Sequence, residues 1–181
     1  MLDLAPATAG DSSIRRDLEI AGYRCEPHDG RVCLGLYRHP DRPGRILKLV
    51  DAGVDGFAAY AEACHHRRLE ASPHFLRVFG ISRVSVDRWL VEIEDLVPVS
   101  HLCDDEIAAI ARRAWRYLTG FDAEPPTALD AAAAQLFAVF GLAGMTPDLR
   151  PNNLMARPCP DGGAVLVIND PYGRRHRRPP D

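Results

Sequence analysis

The chain reads Asp148-Leu149-Arg150-Pro151-Asn152-Asn153 in its last fifth, and Asn169-Asp170-Pro171-Tyr172-Gly173 after an apolar run. An acid, an amide five positions later and a second acid beyond a short strand are the groups that phosphoryl transfer from ATP requires. One carboxylate orients the attacking hydroxyl, while an amide and the second carboxylate hold the metal ions that bridge the phosphates. Lys48, a lone cation within Ile46-Leu47-Lys48-Leu49-Val50, is a further candidate, because a buried ammonium needs an anionic partner. Taken singly, each has a plainer reading. Asp148 caps a helix or turn, Asn152 and Asn153 are loop polars, Asp170-Pro171 starts a turn, and Lys48 guards a sheet edge.

The elements that would position these groups follow from periodicity and punctuation. Asp11-Ser12-Ser13 caps a short helix to about Ala21, which Gly22 ends. Tyr23 to Pro27 and Val32 to Tyr37 read as strands joined through Asp29-Gly30, and Arg45 to Val50 as a third. A helix follows from about Asp55 to Leu69, with Phe57, Tyr60, Ala61 and Cys64 as its apolar stripe and Glu62 off that stripe. Strands are expected over Phe75 to Val84 and Arg88 to Glu94, with Pro98 closing the sheet region. Helices are expected from Asp104 to about Leu118 and from Thr127 to about Leu142. Strands at Leu154 to Ala156 and Ala164 to Ile168 then flank a turn at Asp161-Gly162-Gly163.

Composition narrows the classes. With 181 residues, 46% of them hydrophobic and 26% charged, the chain is an ordinary globular one. A formal net charge of −3 argues against a dedicated nucleic-acid binder, and no apolar stretch approaches a membrane span. The N-terminus lacks the basic and apolar regions of a signal peptide. Five scattered cysteines without C-x-x-C spacing fit reduced thiols in a cytosol. Cys64-His65-His66 is the one hint of metal ligands, and neighbouring helical residues point apart. The terminal Arg174-Arg175-His176-Arg177-Arg178 reads either as an electrostatic arm or as a solvating tail.

The element order strand, strand, strand with Lys48, helix with Glu62, two strands, linker, helices, Asp148 loop, strand and Asp170 resembles the protein-kinase pattern. More narrowly, the chain is similar to the short serine/threonine kinase-like proteins of tailed bacteriophages, over about residues 23 to 173. That resemblance implies an α+β, minimal two-lobed kinase-like fold. Residues 1–98 would be an antiparallel five-stranded lobe with one helix, residues 99–173 a truncated, mostly helical lobe, and residues 174–181 a disordered basic tail. It implies ATP and Mg²⁺ as cofactors. Lys48, paired with Glu62, would contact the phosphates; Glu94 and Leu96 would read adenine through their main chain; the turn at Gly30 would approach the phosphates. Asp148 would be the base, Arg150 would steady the transferring group, and Asn153 and Asp170 would hold metal. The implied substrate is a host protein, with RNA polymerase or RNA-processing proteins as targets, in the bacterial cytoplasm.

The sequence also departs from that pattern. There is no G-x-G-x-x-G, Thr146-Pro147 replace the His-Arg before the catalytic aspartate, and Pro171 replaces the phenylalanine after Asp170. The chain ends eleven residues beyond Asp170, so the resemblance implies neither an activation segment nor peptide-docking helices. Two other functions stay open: a catalytically silent kinase-like protein that binds a host partner, and a small-molecule phosphotransferase of the aminoglycoside type. The latter usually carries a larger C-terminal lobe.

Overall fold

A computed structural model describes residues 11–27, 33–66, 72–99, 116 and 153–173. Apart from Arg116, which is helical, the expected helices at 104–118 and 127–142 and the basic tail lie outside these residues.

Helix α1 (Asp11–Ile20) forms on an i, i+4 apolar pair. Ile14 and Leu18 are buried while Arg15, Arg16, Asp17 and Glu19 stay in solvent. Its C-terminus closes when Tyr23 N–H reaches the Leu18 carbonyl and Gly22 N–H the Glu19 carbonyl. Gly22 sits at φ 89°, a conformation glycine adopts without steric cost at a helix end.

Five strands follow: β1 (Arg24–Glu26), β2 (Cys33–Arg38), β3 (Arg45–Asp51), β4 (Val78–Arg83) and β5 (Arg88–Glu94). They form one antiparallel sheet in the order β1-β2-β3-β5-β4. Strand β3 is central and covered on both faces, which is why it reads as a nearly continuous apolar run. Its period-two alternation sends Leu47 and Leu49 to a core with Ile14, Leu18 and Leu90 on the α1 side. Val50 and Lys48 go to the opposite side, where Val50 joins the larger core and Lys48 lies against Phe57.

Helix α2 (Gly56–His65) covers that second side with Phe57, Ala58, Tyr60, Ala61 and Ala63 buried. Asp55 is its N-cap, accepting the Phe57 N–H at 2.9 Å. The described helix ends at His65, short of the expected Leu69, and residues 67–71 lie outside the described set.

A second, three-stranded sheet is built from β6 (Val97–Pro98), β7 (Leu154–Pro158) and β8 (Ala164–Ile168), all antiparallel. Pro98 therefore does not close the first sheet. It pairs with Met155 in the second, and its missing N–H is tolerated because β6 is an edge. Leu154, Leu166, Val167 and Ile168 join Phe57, Tyr60, Val91 and Ile93 in one core, so α2 and both sheets share a single apolar interior.

The stretch before β4 was expected to be strand from Phe75, but strand begins at Val78. Residues 72–76 turn aside to meet β8. Phe75 makes a parallel bridge with Ile168, the His74 carbonyl accepts the Ile168 N–H at 2.9 Å, and His74 Nδ1 lies 2.8 Å from the Leu166 carbonyl. Tyr60, fully buried, donates its hydroxyl to the Ile168 carbonyl at 2.5 Å and accepts the Leu76 N–H at 3.1 Å. Long-range hydrogen bonds, invisible to local periodicity, won over strand propensity here. They fix β8, and so whatever follows it, against α2.

Candidate functional site

Lys48 and Asp170 meet. The lysine Nζ lies 3.1 Å from Asp170 Oδ2 although 122 positions separate the two residues. The lysine side chain is 9% exposed and the aspartate 27%, so the pair sits at the mouth of the core with the ammonium on the inner side. The Lys48 Nζ also stands 3.6 Å from the Phe57 ring centroid, a cation over an aromatic face. Asp170 owes its place to the β7–β8 pair. Just past β8, the Asn169 and Asp170 N–H groups both reach the Asn153 carbonyl, at 2.9 and 3.4 Å. Asn153 and Asp170 are thus held side by side by main-chain bonds.

A third charged group belongs to this cluster. Asp55 is 4% exposed, and its charge is felt at Lys48 and Cys33. Burial pushes the Asp55 carboxyl up to about 6; the Lys48 ammonium opposes that rise and Asp170 adds to it. For Lys48 burial acts to lower the pKa, but the Asp170 and then the Asp55 carboxylates outweigh it and leave the pKa above the ordinary lysine value. The ammonium therefore stays charged inside the protein. Burial raises the Cys33 thiol despite the nearby Lys48 charge, so this cysteine remains a protonated lining residue on β2.

The arrangement fits a divalent cation at Asp170. Its Oδ1 is buried with no hydrogen-bond partner among the described residues. An orphaned buried carboxylate oxygen is costly unless a cation or donor satisfies it. Among the described residues no group of three His, Cys, Asp or Glu side chains forms a complete metal cage. One carboxylate with an adjacent amide suits Mg²⁺, which takes much of its shell from phosphate oxygens and water.

The expected Lys48–Glu62 pair is not what forms. Glu62 Oε1 accepts from Arg83 at 2.8 Å, an outward pair whose arginine is 63% exposed, while Lys48 is matched to Asp170. The physical reason is where α2 presents its residues. Its N-terminal turn, with Asp55 and Phe57, lies over Lys48, and the later Glu62 faces β4.

The Glu94 side chain has a role of its own. The Glu94 N–H goes to the Arg77 carbonyl, and the Asp95 N–H to the Gly44 carbonyl. The Glu94 carboxylate grips Arg157 of β7 in a fork, 2.6 Å on each arm, and accepts the Arg77 N–H at 2.8 Å. Arg157 also donates to the Pro73 and Phe75 carbonyls at 2.6 and 3.0 Å. Glu94 is a clamp between the two sheets. Leu96 is buried in the shared core. Gly30, Asp148 and Arg150 lie outside the described residues.

Asp55, Arg157 and Tyr60 escaped the reading of chemistry from sequence. Asp55 carried a legible signal, an acid immediately before an apolar helix, but only as a cap. Nothing local marks Arg157 or the Tyr60 hydroxyl, whose partners are 63 and 108 positions away.

No protein-family model and no curated protein matches the chain. Among solved structures, one that matches is the PK-1 kinase of Cydia pomonella granulovirus, with a TM-score of 0.43 at 13% identity over 86% of this chain and 59% of that one. The chain thus spans less than two thirds of that kinase's length. A likeness of this strength does not establish a shared fold, and the functional reading rests on the geometry of the site.

Proposed function

We propose that the chain binds ATP with Mg²⁺ and transfers a phosphoryl group in the manner of a protein kinase. The observation that carries this reading is the pairing of the buried Lys48 with Asp170. A sheet-borne ammonium and a carboxylate with an oxygen that has no partner among the described residues, 122 residues apart, are brought to one place where both are costly to leave unpaired. Lys48 would hold the phosphate oxygens, and Asp170 with Asn153 the metal. Mg²⁺, when bound, neutralises the charge that builds on the phosphates. Asp148 would orient the attacking hydroxyl and Arg150 steady the transferred group. The finer expectations belong to the same reading: serine or threonine acceptors on a host protein such as RNA polymerase or an RNA-processing factor, as the bacteriophage resemblance implies.

Titration of Mg·ATP by calorimetry, with labelled ATP and a bacterial lysate in parallel, tests the proposal. Saturable binding and protein labelling, both lost in Lys48→Met and Asp170→Asn, are expected. Full binding in both variants would sink it. Binding without labelling selects the silent partner.

A further inference from the structure

The Lys48–Asp170 contact raises a difficulty if the proposed function holds. An aspartate that binds metal withdraws charge from the lysine, and a buried ammonium cannot be left without a counter-ion. The glutamate of α2 is committed to Arg83. We propose that Asp55, the N-cap of α2, is the carboxylate that keeps Lys48 placed and charged when Asp170 turns to metal, so that the start of this helix is a positioning element of the phosphate site. The inference rests on the ATP reading above.

Three observations place Asp55 in that role. It is almost fully buried, and its Oδ1 accepts the Phe57 N–H. That bond orders the same residue whose ring carries the Lys48 ammonium, 3.6 Å from its centroid. Cap, ring and ammonium are therefore one unit within a single helical turn.

The next residue fixes this unit to the segment after Asp170. A Cβ on Gly56 would fall 2.5 Å from Tyr172 Cβ and 2.9 Å from the Gly173 carbonyl oxygen. Only glycine allows that approach, so the helix start and the segment carrying Asp170 are in register. The other charged or titratable groups around Asp55 leave it as the remaining partner. Asp51, at the end of β3, is paired with Arg88 at 2.8 Å, and Cys33 of β2 is a protonated thiol.

The test separates charge from capping. Asparagine caps a helix about as well as aspartate, so Asp55→Asn removes the charge and keeps the cap. Without nucleotide, urea unfolding of Asp55→Asn, Asp170→Asn and the double variant is compared. Each single change leaves Lys48 one carboxylate and is tolerated. The double change leaves none, and its folded-to-unfolded ratio should drop at least tenfold below the product of the single effects. If the double variant does not fold, adding Lys48→Met should restore folding; failure to do so overturns the proposal, as does additivity.

With Mg·ATP, Asp55→Asn should raise Kd about tenfold, which corresponds to about 1.4 kcal/mol, while Glu62→Gln binds like wild type. A wild-type chain that binds no Mg·ATP refutes the nucleotide reading and this role together. Intact binding with additive stabilities refutes the assignment of Asp55 alone.

Discussion

Replacing Arg157 by methionine should be among the most damaging single changes outside the Lys48 cluster. The guanidinium grips both Glu94 oxygens at 2.6 Å and two carbonyls, those of Pro73 and Phe75. The two side chains are only 12% and 7% exposed. Methionine fills much of the volume but leaves the Glu94 carboxylate buried, with the Arg77 N–H in place of a cation. Breaking one side of a buried pair costs about 3–5 kcal/mol, and a carbonyl left short of a donor adds about 1 kcal/mol. A loss of about 4–6 kcal/mol is a large part of the roughly 5–15 kcal/mol that holds a domain folded. For a chain of this size it lowers Tm by roughly 10–20 °C.

Circular-dichroism melts and urea titrations of Arg157→Met, Glu94→Leu and the double variant measure this. The double variant, with no charge left to strand, should recover at least about half of the single-variant loss. Because the clamp ties β5 to β7, which follows Asn153 and pairs with β8, the strand that leads to Asp170, Mg·ATP affinity should also fall in Arg157→Met well below its Tm. A loss under about 1 kcal/mol, or no recovery in the double variant, refutes the clamp.

Three further outcomes are expected. Gly56→Ala forces its new Cβ into Tyr172 and the Gly173 carbonyl; overpacking of this kind costs about 1–3 kcal/mol, and a chemical-denaturation midpoint unchanged from wild type would contradict it. Glu62→Gln removes only a largely exposed pair with Arg83, so stability should change by less than about 1 kcal/mol; a large fall in Mg·ATP affinity would reinstate Glu62 as the Lys48 partner. Asp55, raised from 3.8 to about 6 mainly by burial, holds its proton more tightly folded than unfolded. Its contribution is therefore fully present below pH 3.8 and is lost as pH rises through about 6, a change of about 3 kcal/mol. Unfolding free energies across that window should fall in wild type and flatten in Asp55→Asn; equal slopes would show that another group titrates.

Local chemistry determined much of this protein. Turn residues and period-two alternation marked β1, β2, β3, β5 and β8 to within a residue or two, because each strand carries its own apolar face and its own punctuation. The same reading singled out Lys48 as a cation that had to find an anion, and the structure supplies Asp170. What the linear order left open was which anion. Asp55, Glu62 and Asp170 are all acids within a plausible topology. The choice was made by the close approach at Gly56, the Tyr60 hydroxyl bridge and the Arg157–Glu94 clamp, which set α2 and β8 against β3. Side-chain chemistry is written residue by residue. The pairing of buried charges depends on where whole elements stop, and that is decided only when their apolar faces have packed together.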